Sequence, residues 1–293
     1  MIFSKPAALL LLLCPVLALA ESGHPLTLWL AEGESNRVYL LGSVHLLRRE
    51  DHPLPDAIDV AYDDAETIFM ELDMDDIDAV AMQAAVTRLG VLDDGRTLRD
   101  LMGEGLYAKA ETTAATIDIP LELLAQSEPW LAAITIEQMI LARIGFEPRY
   151  GIEMHFSTRA AEDGKPILGF ETFEEQLAFL DGLSIEAQRE LLMQTLAEGQ
   201  DIETLMDDVI EAWRLGDTHY LETTILADFA QYPELHERIV TERNHRWVER
   251  IDGLLDDDQD YLIIVGALHL VGEEGLPALL TRRGFEIRQM RQH

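Results

Sequence analysis

Two histidines and two glutamates carry the chemistry this sequence could perform. His269 closes Gly266-Ala267-Leu268-His269, and His45 closes Gly42-Ser43-Val44-His45. Each Gly-x-x-His comes directly after a short apolar run, Tyr261 to Val265 in one case and Val38 to Leu41 in the other. Glu71, with Asp73 two positions on, and Glu171 also stand at the ends of apolar runs. Two imidazoles with one or two carboxylates form a mixed nitrogen and oxygen donor set suited to Mn²⁺, Co²⁺ or Zn²⁺, with positions left for water. Such an ion lowers the pKa of bound water and polarises a carbonyl. The expected ligands are His45, Glu71 and His269, with ring nitrogens and carboxylate oxygens within about 3–6 Å of one another and Glu171 further out. Taken alone, either histidine reads more readily as a hydrogen-bonded loop residue than as a ligand. Two copies at equivalent places argue for a site.

Those residues need a sheet to bring them together. A β-branched apolar run closed by glycine is the mark of a strand buried on both faces, as in a parallel sheet. Open α/β sheets bind ligands beyond the carboxyl ends of their strands, where both histidines would sit. The expected fold class is therefore α/β: a central, mostly parallel mixed sheet with paired Gly-x-x-His strand ends, surrounded by many helices. Residues 25–31 and 37–41 flank a Gly/Ser/Asn turn and predict a hairpin. Further strands are expected at 66–73, 165–171 and 285–290. Phe69, Glu71 and Asp73 share one face of the first of these, because side chains alternate along a strand. Helices are expected at about 56–64, through most of 76–149, from 151 to about 163, from 172, from 184 to about 255, and near 274–283. Pro129 to Arg143 is apolar around most of its circumference, with proline in its first turn. Gly216-Asp217 reads as a stop and a start, glycine ending one helix and aspartate capping the next. Residues 21–293 thus read as one domain with a helical insertion at about 76–150.

Residues 1–20 have the form of a signal peptide: Lys5, an apolar stretch Ala7 to Leu13, and Ala18-Leu19-Ala20 before Glu21. Cleavage after Ala20 and a periplasmic or secreted location are expected, with no membrane span in the mature chain. The single cysteine, Cys14, lies in that leader, so the mature chain has neither disulfide nor thiol nucleophile. The formal net charge is −33, and only Lys5, Lys109 and Lys165 supply ammonium groups. This charge excludes nucleic acid and anionic lipid as partners and reads as a solubility feature. Gly-x-Ser-x-Gly and glycine-rich phosphate loops are absent, which removes serine hydrolases and nucleotide enzymes from consideration. Arg243-Asn244, read from the residues alone, is a solvated helix face or a capping pair. Glu153 and His155 stand at i, i+2 and do not share a helix side, so His155 reads as structural and Glu153 at most as a support to the site.

Several segments occur together in an order that resembles the TraB/GumN family, which includes the animal Tiki proteins. They are Gly42 to His45, Phe69 to Asp73, Gly164-Lys165-Pro166 leading to Glu171 to Gln176, Gly216-Asp217, Arg243-Asn244 and Gly266 to Gly272. The resemblance spans nearly all of the mature chain. It implies a divalent-metal-dependent, Tiki-like metalloprotease acting on a peptide or protein, with a wider relationship to erythromycin-esterase-like hydrolases. By position it implies a catalytic set of His45, Glu71 and His269, with Glu171, Arg243 and Asn244 in support. Two readings follow: an exported metal-dependent hydrolase, or a non-catalytic periplasmic protein that binds or inhibits a peptide or signal with the same fold. Substrate, metal and oligomeric state stay open at this level.

Overall fold

The computed structural model describes residues 23–74, 78–229 and 232–292; the expected leader lies outside them. A hairpin of β1 (Pro25–Glu32) and β2 (Arg37–Ser43) begins the sheet, followed in sequence by β3 (Thr67–Leu72), β4 (Ile167–Glu171), β5 (Tyr261–Gly266) and β6 (Glu286–Arg291). The strand order is β4-β3-β5-β2-β1-β6. Strands β4, β3, β5 and β2 run parallel, while β1 is antiparallel to both of its neighbours. The protein therefore has the expected α/β fold, with helices around a mixed sheet.

The central position of β5 follows from its composition. Tyr261 to Val265 are all buried, and their side chains alternate between two cores. Leu262 and Ile264 join Ile58, Tyr62, Phe156 and Trp213 on one face of the sheet. Tyr261, Ile263 and Val265 join Trp247, Ile251, Leu276 and Leu280 on the other. Burying each such Val, Leu or Ile side chain contributes about 1.5–3 kcal/mol. A third core lies among the helices between β3 and β4 and the helix Ile185–Glu198, built from Leu98, Tyr107, Ile136, Leu192 and Leu196.

The stop at Gly216 fixes how one helix meets the sheet. Gly216 has φ +57°, and a Cβ there would stand 2.6 Å from the Leu26 backbone, so both conformation and space call for glycine. Just before it, at the end of the helix Ile202–Arg214, Trp213 Nε1 donates to the Gly42 carbonyl at 2.7 Å, and Thr27 Oγ1 donates to the Trp213 carbonyl at 2.7 Å. That helix is pinned behind the strand that delivers His45.

Candidate functional site

His45 leaves the end of β2 in a loop and fronts a cavity, with 58% of its side chain exposed. Its Nδ1 lies 2.8 Å from Glu153 Oε1, and Ser43 Oγ donates to the same oxygen at 2.5 Å. Glu153 comes from the first turn of the helix Ile152–Asp163, held against the loop by Ile152 N–H donating to the Val44 carbonyl at 3.2 Å. With Nδ1 committed to a carboxylate, Nε2 is the atom presented to a reactant. Glu153, and Glu71 from further away, outweigh burial and raise the His45 pKa, which favours the imidazolium.

Glu71 ends β3 with both oxygens engaged. Oε1 accepts the Gly266 N–H at 2.8 Å; Oε2 accepts from Arg243 Nη2 at 2.5 Å and from Gln176 Nε2 at 3.1 Å. Burial alone would raise this carboxyl. The Arg243 charge first, then the neighbouring His45 and the Gly266 N–H, hold it well below the ordinary range instead.

His269 lies in a single turn after β5, only 5% exposed, with its ring against Trp247 at 4.6 Å between centroids. Asn244 Nδ2 donates to the Glu274 carbonyl at 2.8 Å, which turns the amide oxygen toward His269 Nδ1 at 2.7 Å. An amide oxygen only accepts, so Nδ1 carries the proton and Nε2 the lone pair. That lone pair stands 3.3 Å from Arg243 Nη1 and 3.8 Å from Glu71 Oε1. Burial, helped by the Arg243 charge and opposed by Glu71, pushes the His269 pKa down to about 3, so the ring is neutral.

Arg243 ties the centre together. It enters from the first turn of the helix Glu242–Leu255, where a π-helical stretch, Glu237–Thr241, precedes it and sets the approach of the chain. Besides Glu71, Nη2 donates to Glu171 Oε2 at 2.8 Å, and Nε donates to the same oxygen at 3.0 Å. Arg246 and Trp247 Nε1 hold the other Glu171 oxygen at 2.6 and 3.0 Å. Glu171 is therefore the buried anchor of Arg243, where the strand ends alone placed it further out. Arg243 and Asn244 are buried too, not a solvated face.

The site converges on Gly266. A Cβ at this position would meet Glu71 Oε1 at 3.3 Å, His269 Cδ2 at 3.5 Å and His45 Nε2 at 3.7 Å. His45, Glu71 and His269 thus share one rim, as their strand ends require. His269 Nε2 stands 3.8 Å from Glu71 Oε1, and His45 presents Nε2 to the same Gly266 space. Among the described residues no group of three or more His, Cys, Asp and Glu side chains is placed to hold a metal ion. The physical reason is Arg243, which occupies one Glu71 oxygen and faces the His269 lone pair, while His269 turns a carbon edge toward the Gly266 space.

The two histidines also differ in a way that their matching sequence motifs conceal. Ser43, not Gly42, pairs with Gly266, so the strands end together but the two Gly-x-x-His motifs are one residue out of register. The chain after β5 curls into a turn and buries its histidine, whereas the chain after β2 leaves its histidine open to the cavity. Sequence alone predicts unchanged melting for either alanine variant. The structure separates them: His45→Ala should leave Tm within about 2 °C, while His269→Ala should cost about 2 kcal/mol through lost packing and an unpaired Asn244. Thermal unfolding of the two variants side by side checks this difference.

Glu153 and Gln176 were the residues hardest to place from sequence. Spacing within its own helix does not reveal Glu153, because its partners come from the end of β2 and the loop after it. Gln176 follows Glu174-Glu175 in a helix start that reads as an acidic first turn complementing the helix dipole, and Thr172 with Glu175 forms a capping box there. His155 packs against His52 and Phe156, away from the centre.

Comparison with known proteins matches residues 27–289 to the TraB/PrgY/gumN family. The uncharacterized protein YbaP of Escherichia coli (strain K12) is 24% identical over 242 residues, covering 83% of this chain and 87% of its own length, and YbaP of Shigella flexneri gives the same figures. An uncharacterized protein of Treponema pallidum (strain Nichols) is 24% identical over 273 residues, covering 87% of this chain and 80% of its own. No solved structure is a significant match. The ordered motifs and a match across almost the whole described chain lead to one assignment: the chain belongs to the TraB/PrgY/gumN family.

Proposed function

We propose that this chain is an exported hydrolase of peptides, in which His45 transfers protons at a scissile amide seated over Gly266. The observation that carries this reading is the His45–Glu153 dyad. Its Nδ1 is fixed by a carboxylate, and its Nε2 is presented beside an ionised Glu71 at the edge of a cavity. A carboxylate-oriented imidazole is a recurrent proton-transfer device in acyl transfer. Glu71 orients a water molecule or the substrate N–H from Oε1, and the Arg243 guanidinium keeps that carboxylate charged. His269 and Asn244 hold the turn in which Gly266 presents its backbone. Export rests on the signal-like segment 1–20; among the described residues no helix is long and apolar enough to cross a membrane.

Gly266→Ala tests the seating of the substrate. The residue has φ −48° and ψ 136°, a conformation open to alanine, so the fold should tolerate the change. The added methyl would fill the space between His45, Glu71 and His269. Peptide cleavage, read by mass spectrometry on a peptide library, should fall by about 10²-fold or more, since small misplacements of a reacting group have effects of this size. Wild-type rates in the folded variant would refute the placement.

Metal dependence is a separate reading, favoured by His45 Nε2 and Glu71 Oε1 facing the same space. It requires Arg243 to release Glu71. Cleavage that is lost on dialysis against a chelator and restored by Zn²⁺, Mn²⁺ or Co²⁺ would establish it; cleavage indifferent to chelation assigns the reaction to the side chains alone. The non-catalytic reading is separated by saturable peptide binding without turnover in either condition.

A further inference from the structure

A cavity of about 550 Å³ opens beside His45, and its walls show what it would hold. The helices Pro129–Arg143, Phe173–Asp181, Ile185–Glu198 and Ile202–Arg214 form them, together with the helical segments Leu221–Phe229 and Pro233–Thr241. The helix Ile202–Arg214 contributes Ile202, Leu205, Met206 and Val209, an i, i+3, i+4, i+7 stripe. Such a stripe ordinarily faces a core. Here all four residues are only half-buried, because the face opposite them is open space. Apolar surface left unfilled next to a candidate reactive group marks a ligand site.

Apart from His45 at one end, the charged groups of the cavity are carboxylates. Glu137 and Glu198 line it, and no lysine or arginine does among the described residues. Glu198 accepts from Gln194 Nε2 at 2.8 Å. Glu137 has no hydrogen-bond or ion-pair partner among the described residues, although Ile134 and Ile140, one turn to either side of it on the same helix, face the same space. The cavity walls and the neighbouring Glu198 raise its pKa while His45 lowers it, and no lysine or arginine in the lining pairs with its carboxylate, which stands open to the cavity. A carboxylate among apolar walls is stabilised when a ligand brings the complementary charge.

We infer that this cavity is the specificity pocket for a peptide carrying an apolar side chain next to an ammonium group, with Glu137 as the residue that pairs with the ammonium. The apolar side chain lies on the Ile202–Val209 stripe, and the pairing at Glu137 sets how far the chain reaches toward His45. This inference rests on the hydrolase reading for the position of the scissile bond, but not for the binding itself. The ammonium could belong to a lysine side chain or to a free peptide amino terminus, which present the same group.

Equilibrium binding separates these points. Short fluorescent peptides with Phe-Lys, Phe-norleucine or Phe-Glu at their centre, each with a free or an acetylated amino terminus, would be titrated into the full chain carrying His45→Gln. The Phe-Lys or the free-terminus peptides should bind about tenfold or more tighter than their uncharged counterparts, the scale of one charge-assisted hydrogen bond. Adding Glu137→Gln should erase that preference while keeping the affinity for the acetylated norleucine peptide. A lysine-dependent preference assigns the ammonium to a side chain, and a terminus-dependent one assigns it to the α-amine. Equal affinities in the presence of Glu137, a preference that survives Glu137→Gln, or no binding of any peptide would each overturn the inference; the first of these needs no Glu137 variant. Cleavage by the wild-type chain is scored separately. Charge-blind binding with cleavage rejects the pocket and keeps the hydrolase, and charge-selective binding without cleavage does the reverse.

Discussion

Replacing His45 by glutamine should lower kcat/KM for a cleaved peptide by about 10²–10⁴-fold, the usual contribution of a positioned proton-transfer group. Glutamine keeps a polar side chain in the cavity, and His45 is exposed enough that melting should hardly change. Glu153→Gln should cost about 10–100-fold, the scale for losing the partner that orients a reactive imidazole. The pH profile distinguishes orientation from general damage. Glu153 is the main influence raising the His45 pKa, and burial opposes it. With glutamine at 153 the opposing influence remains, so the limb of the profile governed by His45 must move to lower pH. A rate loss with an unmoved limb would mean that Glu153 does not control the titration of His45.

The largest effect on stability should come from Arg243→Ala. Arg243 is buried between Glu71 and Glu171, and its removal leaves two carboxylates without their common cation. Breaking a buried ion pair from one side costs about 3–5 kcal/mol, a fall in Tm of roughly 10 °C for a chain of this size. The pH dependence has a definite sign. The pKa of Glu71 is depressed in the folded chain, so its stabilising contribution is complete above the ordinary value of 4.5 and is lost as pH falls below it. In the variant the largest lowering influence is gone, and burial then favours protonated Glu71. The gap in Tm between wild type and Arg243→Ala should therefore narrow as pH drops below 4.5. A gap of constant size from neutral pH to acid would contradict the ion-pair account.

The parts of this molecule that were legible in its sequence are those set by local pattern. Tyr261 to Val265 could be read as a doubly buried strand because a run of β-branched and aromatic residues has no other economical use, and Gly266 then put His269 at a strand end. The hairpin, the helix Asp56–Asp64 and the break at Gly216-Asp217 followed from turn and cap chemistry in the same way. What stayed hidden depends on which elements meet. The residues around Arg243 look like an ordinary polar helix start, and only the resemblance marked them out. Nothing in the helix period reveals that its first turn enters the rim of the sheet between Glu71 and Glu171. The cavity was invisible for a related reason: Ile202, Leu205, Met206 and Val209 have the spacing of core residues, and an unfilled face has the same sequence as a filled one.

The position of β5 has a consequence for how the protein comes into being. This strand, late in the chain, lies between β2 and β3, which are made early, and it supplies hydrogen-bonding partners to both. Until residues 261–266 are present, the two early strands have no neighbour on the sides that face each other, and Glu71 lacks both the Gly266 N–H and the Arg243 guanidinium. Assembly therefore depends on closing a contact across more than 200 residues, which places the rate-limiting search late and makes it slow. A chain still emerging from the ribosome holds His45 and Glu153 but not the centre around Gly266. The centre around Gly266 is complete only once the middle strand is inserted, so an unfinished chain lacks the arrangement on which the proposed hydrolysis depends.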